Sequence, residues 1–228
     1  MPDLSSLEKT LGVSFNDRSL LEQALVHSSY VNENPEVPCG SNERLEFLGD
    51  AILGLLIAVK LYRDFPGLSE GEMTRFRAAL VCRDSLFRVA REITLGDYLY
   101  LGKGEEASGG RCKAANLARA LEAVIAAIYL DQGLAVTRDI VLKLFGRELE
   151  KLARSTLVID HKSRLQELAQ GRHQLTPTYH LIETTGPDHS RQFVVEVRID
   201  NRVVGKGSGQ SKKAAETEAA RSALEQLT

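Results

Sequence analysis

The chain has only three cysteines in 228 residues, Cys39, Cys82 and Cys112. They are scattered and lack C-x-x-C spacing, which argues against a disulfide framework or a zinc site and for free thiols. Long apolar runs are missing too. The two longest, Ala51–Val59 and Ala123–Leu130, fall far short of the ~20 residues needed to cross a bilayer. The opening "MPDLSSLEKTLG" lacks the charged-then-apolar layout of a signal peptide, so a cytoplasmic protein without a membrane partner is expected. There is little net charge of either sign: the formal value is −2. If a polyanion is bound, the basic residues must therefore be gathered locally. There is no internal repeat and no low-complexity tract. The glycine-rich stretch Gly102–Gly110, "GKGEEASGG", has no GK[ST] ending, so a phosphate-binding P-loop is not expected.

What remains is an ordinary globular composition, 43% hydrophobic and 26% charged, and 228 residues suffice for two small domains with real cores. The period of the apolar residues changes along the chain. Over residues 5–155 they recur at three- and four-residue spacing, which predicts successive helices: Leu20–Leu25, Asn42–Tyr62, Ser69–Ile93 (whole or as a broken pair), Ala115–Leu130 and Val136–Leu152. Ser69 and Glu72 have capping-box spacing, with Glu70 in the first turn. Beyond about residue 155 comes a short helix, Ser163–Gln170. Three β-branched runs follow, "TYHLIET", "FVVEVRI" and "RVVGKGS", split by turn signals at Gly186-Pro187 and Asp200-Asn201. A last helix, Ser211–Gln226, completes a compact α+β module. The expected organisation is an all-α N-terminal domain over residues 1–154, a linker over 155–160 and an α-β-β-β-α domain over 161–228.

The segment Asn42–Asp50, "NERLEFLGD", places Glu43, Glu46 and Asp50 three and four residues apart, on one face of a helix. Glu122, in "NLARALEAVIAAIYLD", lies on a second helix with an apolar continuation. If these helices pack together, their carboxylates converge at one rim of the core. Clustered like charges raise one another's pKa unless a cation offsets them, and oxygen-only ligands favour Mg²⁺ or Mn²⁺. The plainer alternative is a solvated helix face, with Glu43 and Glu46 paired to Arg44 and Lys60. Spacing alone leaves both open.

The second informative stretch is "GKGSGQSKKAAETEAA", residues 205–220. Glycines open a loop there, Ser211 can cap the following helix, and Lys212 and Lys213 stand in its first turn. In that position they oppose the helix dipole, a conflict that a bound phosphate would resolve. Residues 160–228 hold ten Lys or Arg against nine Asp or Glu, so polyanion binding would rest on local placement and fall steeply with salt. His27 and Ser28 suggest a nucleophilic pair, but no aspartate is placed to orient the histidine, and packing is the better reading.

The nonapeptide "NERLEFLGD" is, residue for residue, the signature of the ribonuclease III family. The likeness continues through "FPGLSEGEMTRFRAALV", "LGKGEEASGG" and "ALEAVIAAIYLD" in the family's order. The C-terminal part resembles a double-stranded-RNA-binding domain through "KSRLQELAQ", "TGPDHSRQFVVEV" and the G-x-G-x-S-K-K-x-A-E pattern of its last helix. The resemblance implies a helical endonuclease domain, a homodimer, and Mg²⁺-dependent hydrolysis of double-stranded RNA to 5′-phosphate and 3′-hydroxyl products. By position it implies Glu46 and Glu122 as metal ligands, Asp50 and Glu122 as catalytic acids, and Glu43 and Glu70 as accessory acids nearer the RNA or the partner subunit. Phe47 would pack across the dimer interface. In the second domain it implies contacts to duplex RNA from Gln166, Glu167, His189, Ser211, Lys212 and Lys213.

One residue departs from the pattern. The family reads A-D-x-x-E-A around the position of Glu122, and this chain reads "ARALEA", with Arg119 in place of a metal-ligand aspartate. A guanidinium is always cationic and never a ligand. Two outcomes are expected to compete: a working nuclease, or a double-stranded-RNA-binding protein whose cleavage site is impaired.

Overall fold

The structure is a computed structural model that describes residues 3–36, 39–187 and 191–227, with the side chains of 154–160, 163, 172 and 173 outside the description. Two compact units divide the chain, Met1–Leu149 and Glu150–Thr228.

The first unit is helical. Its elements are α1 (Leu4–Leu11), α2 (Arg18–Ala24), α3 (Ser28–Glu33), α4 (Glu43–Asp64), α5 (Glu70–Val81), α6 (Arg83–Glu92), α7 (Lys103–Ala107), α8 (Ala114–Leu144) and the start of α9 (Gly146–His173). Caps set the starts of several helices. Asp3 and Asp17 accept from the Ser5 and Ser19 N–H groups, and Ser69 and Glu72 form the expected capping box. His27 Nδ1 lies 2.8 Å from Ser29 Oγ and caps α3, a structural use in place of a nucleophilic one.

The Ser69–Ile93 segment is a broken pair: α5 ends at Val81, and Cys82 adopts an extended conformation before α6. The stretch Gly102–Gly110 is largely helical, with Glu33 accepting from the Lys103 N–H. The two helices expected between Ala115 and Leu152 have different limits. α8 continues to Leu144, with a left-handed φ of 78° at Gly133, and α9 begins at Gly146. The helical backbone of α9 runs through 155–160, the stretch read as a linker.

The core of this unit is the contact between α4 and α8. Leu53, Ile57, Leu61, Leu121, Ile125 and Ile128 are fully buried there. By length and composition α8 could span a membrane, but half of its apolar window is buried inside the protein, as befits a core helix.

The second unit adds β1 (Thr178–Thr185), β2 (Gln192–Ile199), β3 (Arg202–Gly209) and α10 (Lys212–Leu227) to the later part of α9. The sheet is antiparallel in the order β1-β2-β3, with a register shift between Leu181 and Glu183. Its core joins Leu165 and Ala169 to Val195, Val197 and Ile199 and to Ala215, Ala219, Ala220 and Ala223. The glycines of "GKGSG" lie in β3 and do not open a loop. A Cβ on Gly207 would stand 2.1 Å from the Ala219 nitrogen, and one on Gly205 would stand 2.4 Å from the Ala219 oxygen. These glycines let an alanine-faced helix lie directly on the strand. The three cysteines are free thiols.

Candidate active site and nucleic-acid interface

The N-terminal third of α4 and the first turns of α8 meet at a recess of about 530 Å³. It is lined by Glu43, Glu46, Phe47, Asp50, Arg119 and Glu122. Five of these six are charged, and four are acids. A glycine sets how closely the two helices approach. A Cβ on Gly49 would stand 1.8 Å from the Glu122 carbonyl oxygen and 2.5 Å from its carbon. Only a residue without a side chain fits, so the α4 backbone rests on α8 at Glu122 itself. Glu46 precedes Gly49 by one turn and Asp50 follows it directly, which brings both beside Glu122.

Burial and like charge leave their mark. Desolvation, then Asp50 and Glu46, push Glu122 up to about 7 from 4.5, against the pull of Arg119. Desolvation also raises Glu46, with Glu43 and Asp50 adding to it and Arg119 opposing. Arg119 Nε stands 3.5 Å from Glu46 Oε1. The simple pairing expected for a solvated face is absent: Lys60 pairs with Asp64 at 2.6 Å, and Glu43 accepts from Ser41 Oγ at 2.8 Å. Asp131, the next acid along α8, accepts from the Asn16 and Asp17 N–H groups at 2.9 and 2.8 Å. It pins the N-terminal segment and takes no part in the recess.

Glu70 is not brought into this recess. It lines a smaller cavity with Ala58, Leu61, Tyr62, Met73, Thr74 and Arg77, and its carboxylate accepts from Thr74 Oγ1. That cavity lies further along α4, about 20 Å down the axis at 1.5 Å per residue. Phe47 is 81% exposed, on a stripe of α4 continued by Leu55 and Tyr62. It also borders a cavity of about 680 Å³ with Leu20, Leu45, Leu48 and Leu130.

The donor set suits a hard divalent cation: carboxylate oxygens only, partly desolvated and mutually repelling. Among the described residues, no three acidic, histidine or cysteine side chains form a group able to hold a metal ion as they stand. The carboxylates share a recess whose one lining cation is Arg119.

In the second unit, Gln166 and Glu167 are placed on α9, and Ser211, Lys212 and Lys213 are exposed at the start of α10. Ser211 Oγ accepts from the Ala214 N–H at 3.1 Å, the cap expected of it. The first-turn lysines therefore flank helix N–H groups that have no partner within the helix. His189 lies outside the described residues. The sequence pattern gave no separate role to Gly49, and it read the β3 glycines as a loop. A glycine inside an apolar helix weakens it by up to ~1 kcal/mol, and that was the available signal for a close backbone approach.

Fold and site together define a class: a helical domain with an acid-lined recess, followed by an α-β-β-β-α module that presents lysines at a helix start. Residues 17–149 match the family model "Ribonuclease-III-like", and residues 161–227 match "Double-stranded RNA binding motif". A protein named Ribonuclease 3 from Dehalococcoides mccartyi is 58% identical over 227 residues, covering 100% of this chain and 96% of its own. A Ribonuclease 3 from Roseiflexus sp. is 49% identical, covering 98% and 95%. The nuclease domain of ribonuclease III from Campylobacter jejuni superposes with a TM-score of 0.60 at 38% identity, over 65% of this chain and 97% of that one. Another structure of that domain is described as flexible in a region involved in dimer formation. The chain belongs to the ribonuclease III family of endoribonucleases.

Proposed function

We propose that the protein is a homodimeric, Mg²⁺-dependent endoribonuclease, with Mn²⁺ as the alternative ion. It binds double-stranded RNA by shape and hydrolyses both strands to 5′-phosphate and 3′-hydroxyl ends, in rRNA and mRNA processing in the cytoplasm. The observation that carries this reading is the convergence of Glu46, Asp50 and Glu122 in one recess, on helices locked together at Gly49. Glu46 and Glu122 would hold the ion, with Asp50 beside them. A divalent ion bound there supplies electrostatic stabilisation for the charge that develops on the phosphodiester oxygens. The chain's own part is to position that charge-bearing site and the substrate. Glu43, exposed at the recess mouth, and Glu70, in its separate cavity, are read as accessory acids. The α10 start, with Ser211, Lys212 and Lys213, would meet the duplex together with Gln166 and Glu167 of α9, as such modules do across successive grooves. The family resemblance gives His189, outside the described residues, a contact to the duplex as well. We take residues 1–154 and 161–228 as the two functional domains, with 155–160 between them.

Dimerisation is read from the apolar stripe of α4. Phe47, Leu55 and Tyr62 are 81%, 51% and 73% exposed, an apolar stripe of the kind that marks an interaction surface. Phe47 also borders a cavity lined by Leu20, Leu45, Leu48 and Leu130 together with Gln23, Glu43 and Arg44, and a two-fold contact would place the same surface on both chains.

The Arg119–Glu46 pair favours a second reading, an RNA-binding protein with impaired cleavage. The full-length relatives, each named Ribonuclease 3, favour the enzyme. Incubating the chain with long duplex RNA and Mg²⁺ separates the two. We expect short duplex products from the wild type and none from Glu122→Gln. An intact substrate that is still retained in a gel shift would identify the binding protein instead.

A further inference from the structure

The recess contains one cation, and the chain itself supplies it. Arg119 precedes Glu122 by one turn of α8, so both side chains leave the same helix face. Its Nε stands 3.5 Å from Glu46 Oε1, and it is the one basic group among the six residues that line the recess. Its position on α8 lies one turn from Glu122, whose backbone touches Gly49 of α4. Its charge cannot be removed by any physiological pH. Its side chain is still 55% exposed, against 27% for Glu46. A partly exposed pair of this kind is held by a modest free energy, so the guanidinium can be displaced.

We propose that Arg119 is a tethered counter-ion of the acid recess that competes with the divalent cation, so that this site binds metal weakly and fills only when the guanidinium swings away. The inference rests on the reading of Glu46 and Glu122 as metal-holding residues. It follows from charge and place. An ion entering the recess meets carboxylates already offset by one positive charge, and it must either share Glu46 with the guanidinium or displace it. The metal-free protein gains in turn, because Glu46, Asp50 and Glu122 repel one another less with Arg119 among them. The same residue therefore stabilises the empty site and weakens the filled one. The aspartate that the family pattern carries at this position would do the reverse.

The test is Mn²⁺ binding to the full chain, followed by the decline of the free-ion paramagnetic resonance signal, with thermal unfolding in EDTA as a second readout. Four proteins are compared: wild type, Arg119→Gln, Arg119→Asp and Glu46→Gln. We expect Arg119→Gln to bind Mn²⁺ on the order of tenfold more tightly, the equivalent of about 1.4 kcal/mol, and Arg119→Asp more tightly still. In EDTA, Arg119→Asp should unfold a few degrees lower than wild type, with Mn²⁺ restoring the difference. If Arg119→Asp fails to fold, Arg119→Gln, which adds no charge, carries the comparison. Equal Mn²⁺ affinity in wild type and the folded Arg119 variants would overturn the proposal and leave Arg119 a bystander. If none of the proteins binds Mn²⁺, the metal-site reading itself falls. If Glu46→Gln binds Mn²⁺ as well as wild type does, the ion sits elsewhere and that reading falls too.

Discussion

At the residue scale, Gly49 shows how local preference yields to packing. On an isolated helix, Gly49→Ala would stabilise by up to ~1 kcal/mol. Here the new methyl group would stand 1.8 Å from a main-chain oxygen of the neighbouring helix, and backbone cannot rotate aside as a side chain can. We expect a net destabilisation of roughly 3 kcal/mol by urea unfolding, together with abolished cleavage, because the shift moves Glu46 and Asp50 away from Glu122. Glu122 gives a second prediction. Its carboxyl is raised to about 7 from 4.5 in the folded, metal-free protein, so between those values the folded state binds more protons than the unfolded chain. The stability it contributes is fully present below pH 4.5 and is lost as pH rises through 7, by up to about 3 kcal/mol. Unfolding in EDTA should show this decline, and Glu122→Gln should flatten it. A wild-type stability that rises steadily from pH 5 to 8 with the same slope in Glu122→Gln would refute the assignment.

At the scale of elements, capping and period are legible in the sequence, and their consequences for packing are less so. The box of Ser69 and Glu72 forms as expected because it needs only four consecutive residues. The α10 cap at Ser211 forms for the same reason. The glycines of β3 look like a loop in the sequence and are strand in the structure. Their meaning depends on α10 lying against them, at 2.1 Å from a Cβ built on Gly207, and a linear pattern carries no such distance. Helix α10 also presents Lys212 and Lys213 exposed in a first turn where a helix dipole disfavours them. Replacing both by alanine should weaken duplex-RNA binding at every sequence. It should also reduce the slope of log affinity against log salt by about two, one for each phosphate left without its lysine. An unchanged slope in a salt titration would place the phosphates elsewhere.

At the scale of the whole molecule, the two units have separate cores, one built on α4 and α8 and one on α9, β2 and α10. In the proposed function, the acid-lined recess of one unit would serve chemistry and the lysine-bearing helix start of the other would serve recognition. The α4 stripe extends this to a pair of chains. Phe47→Asp changes a side chain that is 81% exposed in the single chain, so the fold should survive while association does not. Sedimentation should show a dimer for wild type and a monomer for the variant, with the helical signal by circular dichroism unchanged. A monomeric wild type would remove the dimer from the proposed function.

The sequence by itself determined the class of each half, the acids Glu43, Glu46, Asp50 and Glu122, and the departure at Arg119. Helical period, strand alternation and short motifs depend on neighbours a few residues apart, and those are written in the chain. Tertiary structure alone decided which charges meet. It put Arg119 against Glu46, gave Asp131 to the N-terminal segment, kept Glu70 in another cavity, and turned Gly49 into the contact on which the recess rests. Each of these is a distance that no local pattern carries, fixed when α4 and α8 bury their apolar faces against each other.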